Sequence, residues 1–242
     1  MKCADVYNLF FSPGDVVEIR AYGLSKSAAA WEGWAGGAGV VYGYFDNAKD
    51  FGTAAEALEA AKAPGIYFTL NPVVPDLLAR AANRLKAATA KSPTTSDKDI
   101  LKIRWIPIDL DPERPSGISS TKDELTAAVR LRNKIYKDLV KMGAVDCLIP
   151  AVSGNGAHLV IHLDQERENN ADLVETNTEF MRRILAGIHA KWSTEKVKVD
   201  LAVCNPARIW KLYGTTGRKG DDTKDRPHRM SYVEPKFLKK GG

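Results

Sequence analysis

Alternating apolar and polar residues predict β-strands along much of the chain, and repeats at helical spacing predict helices between them. Side chains on a strand alternate between two faces, whereas one face of a helix recurs every three or four residues. Two helices begin at a Thr followed three residues later by a Glu, the pattern of a capping box. The predicted strands are 15–22, 39–45, 66–70, 103–111, 145–152, 157–164 and 197–203, and the predicted helices are 25–34, 53–63, 76–88, 121–143 and 171–192.

The order of these elements predicts two α+β layers. The first block is followed by segment 91–98, which is polar, contains a proline and lacks periodicity, and which we interpret as a linker. The second block runs strand, helix, strand, strand, helix, strand, which is typical of a split βαβ unit in RRM-like and ferredoxin-like sheets. We therefore predict an α+β fold, with residues 1–98 as an N-terminal α/β subdomain and residues 99–242 as an RRM-like, mostly antiparallel sheet.

Composition narrows the class of protein. The chain has 242 residues, of which 44% are hydrophobic, enough for one large domain or two small ones. No apolar run approaches membrane-spanning length and nothing at the N-terminus is typical of a signal peptide, so we expect a soluble protein without a membrane partner. The cysteines, Cys3, Cys147 and Cys204, are scattered and odd in number, which argues against a disulfide framework. A reducing cytoplasm is the simplest setting.

The net charge of +5 is unevenly distributed. Residues 205–242 contain ten Lys and Arg against four Asp and Glu, so that segment carries +6, whereas residues 1–204 contain 25 against 26 and carry −1. A basic segment of this kind suits a polyanion such as nucleic-acid phosphates or a nucleoside triphosphate. A basic tail that serves only solubility is the alternative.

The predicted strand 103–111 carries two acids that are candidate metal ligands. Asp109 and Asp111 lie two residues apart, so both point to the face opposite Ile108 and Leu110. Their oxygens are hard ligands, suited to Mg²⁺ or Mn²⁺. A solvated surface strand is the alternative for a lone Asp-x-Asp.

A glycine-rich turn follows later in the chain. Two glycines within residues 153–158, Ser-Gly-Asn-Gly-Ala-His, allow backbone N–H groups to turn toward an anion, so Ser153, Asn155, Gly156 and His158 are candidates to hold a triphosphate. A plain β-hairpin is the alternative. His162 lies about 13 Å beyond His158 along the strand, so we expect no metal site shared by the two histidines.

A third acid precedes a basic stretch. Asp200 is predicted on the polar face of strand 197–203, and residues 205–215 follow as Asn-Pro-Ala-Arg-Ile-Trp-Lys-Leu-Tyr-Gly-Thr. If Asp200 joins Asp109 and Asp111, then Arg208 and Lys211 can reach phosphates bridged by the metals.

These pieces together resemble the archaeo-eukaryotic primase (AEP) superfamily, specifically the primase-polymerase domains of phage, plasmid and CRISPR-associated type. The hydrophobic-Asp-hydrophobic-Asp motif followed by Pro-x-Arg matches residues 108–114. The Ser-Gly-x-Gly-x-His motif matches residues 153–158. The third motif, an acid followed by Asn-Pro-Ala-Arg and Gly-Thr, matches Asp200 and residues 205–215, and residues 226–229 resemble a tail segment of the family.

The resemblance implies a template-dependent nucleotidyltransferase that makes or extends primers on single-stranded DNA. Asp109, Asp111 and Asp200 would be catalytic and would hold two Mg²⁺ or Mn²⁺ ions. The triphosphate would be bound by Ser153, Asn155, Gly156, His158, Arg208 and Lys211. The single-stranded template and primer would meet the basic end, with Arg218, Lys219, Arg226 and Arg229 as DNA-binding candidates and Trp210, Tyr213 and Tyr232 as stacking candidates.

Two further expectations accompany this resemblance, and two rival interpretations remain. No Cys/His cluster has zinc-ligand spacing, so no zinc is expected. A helicase, or another replication or CRISPR protein, is an expected partner. The rival interpretations are a replication-initiator or relaxase nuclease and a catalytically inactive module that binds nucleotide or DNA.

Overall fold

The computed structural model describes residues 1–24, 39–89 and 91–240, and the predicted helix 25–34 lies outside them. Among the described residues, no helix combines the length and apolar character needed to cross a membrane. The helices are α1 (Cys3–Phe10), α2 (Ala48–Ala60), α3 (Lys122–Lys141) and α4 (Val174–Trp192). The strands are β1 (Val17–Tyr22), β2 (Val41–Phe45), β3 (Gly65–Thr69), β4 (Lys86–Ala87), β5 (Lys102–Pro112), β6 (Leu148–Val152), β7 (Ala157–Glu168), β8 (Val197–Val199), β9 (Ile209–Lys211), β10 (Thr216–Gly217), β11 (Arg229–Met230) and β12 (Tyr232–Val233).

The C-terminal part of the chain forms the α+β arrangement that the sequence predicts. Its sheet has the strand order β12-β6-β7-β5-β8, and every pairing in it is antiparallel. The helices α3 and α4 pack against this sheet, with Ile135 and Leu185 among the side chains that they bury. The chain order β5-α3-β6-β7-α4-β8 is that of a split βαβ unit, so the prediction of an RRM-like, mostly antiparallel sheet is confirmed.

A second antiparallel sheet has the order β4-β2-β1-β3-β9. Its edge strand β9 comes from the C-terminal part of the chain, although the other four strands precede residue 98. Segment 91–98, interpreted as a linker, is tied to this sheet because the backbone N–H of buried Thr95 donates to Glu18 at 3.1 Å. The division of the chain into two subdomains at residue 98 stays a prediction.

Buried polar side chains join the two sheets around β5. Arg104 pairs with Asp15 at 2.7 Å and with Glu166 at 2.5 Å. The amide oxygen of Asn71 accepts from the backbone N–H groups of Arg104 and Trp105, where the pairing of β5 with β7 is irregular. Buried charges and amides are stable only when their partners are in place. These contacts therefore fix β5, the strand that carries Asp109 and Asp111, relative to the N-terminal sheet.

The sequence prediction of a helix at 76–88 is wrong. The chain forms a short 3₁₀ helix at Pro75–Arg80 and then strand β4. Asn83 has a φ of 50°, which ends any helix there, and the carbonyl of Ala81 accepts from Tyr44 in β2. The sequence analysis also missed α1, and it began α2 at Thr53 although Asn47 caps that helix by accepting from the Asp50 N–H at 2.9 Å.

Candidate active site

A cavity of about 430 Å³ opens where the two sheets meet. The strands β5 and β7 carry an acidic wall, and β1, β3 and β9 carry an aromatic and basic wall opposite it. All of the predicted catalytic and triphosphate-binding residues except Gly156 line this cavity. The lining residues are Tyr22, Gly23, Pro64, Gly65, Tyr67, Asp109, Asp111, Arg114, Ser153, Asn155, His158, Asp200, Val203, Arg208, Ile209, Trp210, Lys211, Gly217, Arg218 and Lys219.

Strand register places the two acids of β5 beside His158. Asp109 pairs with His158 across β5 and β7, and Asp111 lies two residues further on the same face. The Oδ1 atom of Asp109 is buried and has no hydrogen-bond partner among the described residues, and it lies 3.4 Å from His158 Nε2. A buried carboxylate oxygen without a donor is costly. It marks a place where a cation would be stabilised.

The second acid also lies in an unfavourable place for negative charge. Half of the Asp111 side chain is exposed, at 52%. The protein atoms around Asp111 and the charge of Asp109 nevertheless raise the pKa of its carboxyl. Arg114 opposes this shift, since its Nη1 lies 3.6 Å from Asp111 Oδ1. The pair is therefore a local excess of negative charge that Arg114 offsets only in part.

The glycine-rich turn forms a tight hairpin against these acids. Ser153 Oγ accepts from the Gly156 N–H at 2.9 Å, and Asn155 Oδ1 accepts from the Ser120 N–H at 3.0 Å. A Cβ atom on Gly156 would lie 2.7 Å from Asp111 Oδ1 and 2.7 Å from the Leu110 carbonyl oxygen. Only glycine therefore lets the hairpin lie this close to β5. Gly156 does not line the cavity, so its predicted contact with triphosphate stays a prediction.

His158 is held by two aromatic residues. Its Nδ1 lies 2.9 Å from the Tyr213 hydroxyl, which accepts a hydrogen bond from Trp210 Nε1 at 2.7 Å. The Trp210 ring also stacks on the imidazole, with the ring centroids 3.9 Å apart. Trp210 and Tyr213, which the sequence analysis considered for base stacking, are 2% and 0% exposed. His162 lines a different cavity and contacts the Trp105 ring.

Asp200 reaches the cavity from the end of β8. Its backbone N–H donates to the Asp109 carbonyl at 2.9 Å. The predicted strand 197–203 ends at Val199, because the Asp200 side chain caps a 3₁₀ turn at Leu201–Val203 by accepting from the Ala202 N–H at 2.8 Å. That turn leaves Leu201 40% exposed.

The three acids share a cavity but do not form a ready-made metal cluster. Within residues 1–24, 39–89 and 91–240, no three His, Cys, Asp or Glu side chains stand close enough together to hold one ion. Asp200 is the member whose carboxylate is already engaged in a local hydrogen bond. The donor set nevertheless consists of hard carboxylate oxygens, which suits Mg²⁺ or Mn²⁺.

Basic side chains surround the acids. The Arg208 guanidinium donates to the Ala202 carbonyl, and its Nε is buried without a partner among the described residues. Lys211 is buried, and its Nζ donates to the Thr216 carbonyl at 3.1 Å. Burial lowers the pKa of Lys211 to about 7 and the Arg218 charge acts in the same direction, while Glu59 opposes the shift. The basic lining residues are Arg114, Arg208, Lys211, Arg218 and Lys219.

The aromatic part of the wall was missed by the sequence analysis. Tyr22 and Tyr67 contact each other edge to face, with their ring centroids 6.0 Å apart. The register of β1 with β3 places Tyr22 opposite Gly65, and β3 in turn pairs Tyr67 with Lys211. The only local signal was a tyrosine in each of two predicted strands, and nothing in it indicated that these strands meet the acidic one.

The C-terminal basic residues divide into two groups. Arg218 and Lys219 line the cavity, although Arg218 also pairs with Glu59 at 2.5 Å. Arg226 makes hydrogen bonds through both of its terminal nitrogens to Glu124, at 2.9 Å each. Arg229 donates to the Ser120 carbonyl at 2.6 Å, and Tyr232 is 41% exposed. Arg226 and Arg229 thus attach the tail to the start of α3, and their contact with DNA stays a prediction.

Similarity to known proteins is found among solved structures. No family model matches the chain, and no curated protein matches it. The AEP domain of the primase-polymerase from cyanophage S-2L is similar, with a TM-score of 0.50 and 10% identity over 96% of this chain and 88% of that one. The polymerase domain of Mycobacterium tuberculosis ligase D in complex with DNA has a TM-score of 0.47 and 16% identity, over 95% of this chain and 78% of that one. The primase RepB′ has a TM-score of 0.45 and 10% identity, over 100% of this chain and 61% of that one.

Proposed function

We propose that this chain, which has the fold of an AEP primase-polymerase domain, is a template-dependent nucleotidyltransferase that makes or extends primers on single-stranded DNA. The fold is shared with the cyanophage domain over nearly the whole length of both chains. Fold alone does not specify chemistry. The reaction class must therefore follow from the residues that line the cavity.

The observation that carries the proposal is the pairing of an acidic wall, whose negative charge is only partly compensated, with a basic wall across a single cavity. Asp109 Oδ1 is buried without a donor, and the protein atoms around the half-exposed Asp111 together with the charge of Asp109 raise the pKa of the Asp111 carboxyl. Opposite them, Lys211 is a buried lysine and Arg208 Nε has no partner among the described residues. A divalent metal ion bound to a nucleoside triphosphate is complementary to both walls. The metal ion binds the carboxylates, and the phosphates contact the basic side chains.

Each residue then has a task. Asp109, Asp111 and Asp200 would hold two Mg²⁺ or Mn²⁺ ions, which when bound supply charge neutralisation and activate the attacking hydroxyl. Ser153, Asn155 and His158 bind the triphosphate from the hairpin side. Arg208 and Lys211 neutralise its charge from the β9 side. The reaction is an in-line displacement of pyrophosphate, in which rate is gained by positioning and electrostatic stabilisation and no covalent intermediate is formed.

Template binding is proposed for the basic rim of the same cavity. Lys219 and Arg218 lie at the cavity, where they can meet backbone phosphates of a single strand. Such contacts release counterions, so the affinity for single-stranded DNA should fall steeply as salt is raised. A helicase or CRISPR partner rests on the sequence resemblance alone.

A primer-extension assay tests the proposal. The protein is incubated with a labelled primer on a single-stranded template, nucleoside triphosphates and Mn²⁺ or Mg²⁺, and both product length and released pyrophosphate are measured. The wild-type chain should extend the primer, and Asp109→Ala should lower the rate about 10³-fold or more, because the loss of a ligand removes several kcal/mol of transition-state stabilisation. Asp164→Ala is the matched control, since Asp164 is an exposed aspartate on β7 outside the cavity.

Two results would contradict the proposal. One is a wild-type chain that folds yet incorporates no nucleotide with either metal. The other is a folded Asp109→Ala protein that synthesises at the wild-type rate. Nicking of circular single-stranded DNA without any synthesis would favour the relaxase interpretation instead.

A further inference from the structure

A buried row of hydrogen bonds runs from the core to the imidazole at the cavity. Trp210 Nε1 lies 2.7 Å from the Tyr213 oxygen, and the Tyr213 oxygen lies 2.9 Å from His158 Nδ1. The opposite ring nitrogen, His158 Nε2, lies toward the cavity and is 3.4 Å from Asp109 Oδ1. Tyr213 is completely buried and His158 is 3% exposed, so solvent does not compete for the bond between them.

The direction of each hydrogen bond in this row follows from the chemistry of the donors. An indole nitrogen only donates, so Trp210 must donate to the Tyr213 oxygen. The Tyr213 hydroxyl then has one proton of its own to place. His158 Nδ1 is its sole acceptor among the described residues. Burial raises the pKa of Tyr213 well above its usual value, so the hydroxyl keeps that proton and remains a donor.

The alternative tautomer, with the proton on Nδ1, is disfavoured by the same count of donors and acceptors. If Nδ1 carried the imidazole proton, both Trp210 and His158 would donate to the Tyr213 oxygen. The tyrosine proton would then be buried without an acceptor, which is costly in an interior. Nε2 would in addition present a lone pair to the carboxylate of Asp109 instead of a proton. Both ends of the ring therefore favour the proton on Nε2.

Packing keeps the ring in this orientation. Trp210 stacks on the imidazole, and Phe10 lies against Tyr213 with ring centroids 6.1 Å apart. Trp210 and Tyr213 are three residues apart in one short segment that begins with β9. One segment of the chain therefore supplies both the ring that stacks on His158 and the hydroxyl that bonds to it.

We propose that Tyr213 is a positioning residue that holds His158 in the neutral tautomer with its proton on Nε2, so that the cavity always meets an N–H donor there. The donor is suited to a phosphate oxygen of the incoming triphosphate, and this second step rests on the function proposed above. The first step concerns the free protein alone. The proposed tautomer and the proposed contact with phosphate can therefore be refuted separately.

The free protein provides the first test. Two-bond ¹H–¹⁵N correlation spectra of ¹⁵N-histidine-labelled protein, recorded without metal or nucleotide at alkaline pH, distinguish the two tautomers. His158→Gln identifies the His158 signals. We expect wild type to show protonated Nε2 and a hydrogen-bonded, unprotonated Nδ1, and Tyr213→Phe to show a mixture. Tyr7→Phe, a buried tyrosine whose hydroxyl donates to the Asp15 carbonyl, should leave the His158 signals unchanged.

Two spectra would overturn the proposal. One is a wild-type His158 protonated on Nδ1, a result that needs no variant to fold. The other is a folded Tyr213→Phe protein with wild-type His158 nitrogen shifts. Neither result depends on whether the protein synthesises DNA.

Binding of a nucleoside triphosphate provides the second test. If half of the His158 rings in Tyr213→Phe lose the Nε2 proton, the apparent affinity should fall about twofold, and more as the fraction grows. In a His158→Gln background the side-chain amide always offers an N–H, so Tyr213→Phe should change nothing. An equal loss in both backgrounds would show that Tyr213 acts by packing and would overturn the positioning role. A wild-type protein that does not bind triphosphate at all would contradict the proposed function and leave the tautomer result standing.

Discussion

The two walls of the cavity are built in different ways. The acidic wall comes from neighbouring strands of one sheet, where register alone sets Asp109 beside His158. The opposite wall gathers Tyr22, Tyr67 and Lys211 from β1, β3 and β9, which are far apart in the chain. The first wall is therefore assembled from compact motifs, and the second depends on long-range pairing.

Both walls hold charge that is poorly stabilised, negative on the acidic wall and positive on the opposite wall. Negative charge is crowded at Asp109 and Asp111, where the surrounding protein atoms and the charge of Asp109 raise the pKa of the half-exposed Asp111. Positive charge is buried at Lys211, whose pKa burial lowers to about 7. Each wall thus holds a charge in a form that the folded protein alone stabilises poorly, as is common where stability is exchanged for function. The cavity as a whole is therefore complementary to a ligand with both a cationic and an anionic part.

The first effect concerns activity at Asp111. Asp111→Asn should lower nucleotide incorporation about 10²–10³-fold, since a metal ligand contributes several kcal/mol to the transition state. The same change should raise the melting temperature measured in EDTA at neutral pH. A carboxyl with a raised pKa is least favourable to the fold when ionised, and the amide removes that charge. The gain should stay below about 1 kcal/mol because half of the side chain is exposed.

Asp164→Asn is the control for this measurement, because Asp164 is exposed on β7 and does not line the cavity. It should change neither quantity. A lower melting temperature for Asp111→Asn would mean that the acidic wall is not a site of electrostatic strain.

The acidic wall could be predicted from the sequence because its geometry is local. Strand alternation puts Asp109 and Asp111 on one face, and the glycine-rich turn leads directly into the strand that carries His158. The split βαβ order then fixes which strands are neighbours. The predicted strand 197–203 is wrong beyond Val199, because the Asp200 side chain caps a 3₁₀ turn there although the alternation of apolar residues continues to residue 203.

The aromatic and basic wall could not be predicted in the same way. Strand β9 completes a sheet whose other strands lie more than a hundred residues earlier, and no periodicity in either segment specifies that pairing. Lys211 was identified as a cation near the motif, but its burial follows from this pairing. The wrongly predicted helix at 76–88 has the same origin, since the edge of β2 takes the backbone of Ala81 into its own hydrogen bonds.

The second effect concerns stability and pH at Lys211. Burial lowers the pKa of Lys211 to about 7 in the folded protein, whereas the pKa of an unfolded lysine is about 10.4. Between these values the unfolded state binds more protons, so this lysine makes the free energy of unfolding increase with pH, at most by about 1.4 kcal/mol per pH unit. Urea titrations at pH 7, 8 and 9 should show this increase for wild type.

Lys211→Met removes the group that titrates, so the increase should disappear in that variant. Lys198→Met is the control, because Lys198 is exposed on β8. An identical pH dependence in wild type and Lys211→Met would show that Lys211 is not a buried, readily deprotonated lysine.

The third effect concerns the close approach of the glycine-rich hairpin to the acidic wall. Gly156→Ala should destabilise the protein by about 1–3 kcal/mol, because the new Cβ meets the Leu110 carbonyl, which cannot turn aside. It should also lower incorporation, since Asp111 Oδ1 must move. Gly187→Ala in α4 meets nothing within 4 Å and should stabilise by about 0.5–1 kcal/mol. Equal melting temperatures for the two variants would refute the close approach of hairpin and acids.

The smallest effect on stability is expected on the opposite wall, at Gly65. A Cβ there would lie 2.6–2.9 Å from ring atoms of Tyr67, and a side chain can turn aside where a backbone carbonyl cannot. Gly65→Ala should therefore change stability by only about 0.5 kcal/mol, but it should push the Tyr67 ring into the cavity and weaken triphosphate binding. In a Tyr67→Ala background the same substitution should have no effect on binding, because the ring that it displaces is gone. If Gly65→Ala weakens binding equally in both backgrounds, then displacement of the Tyr67 ring is not the cause, and the expected contact of this ring with the nucleotide is wrong.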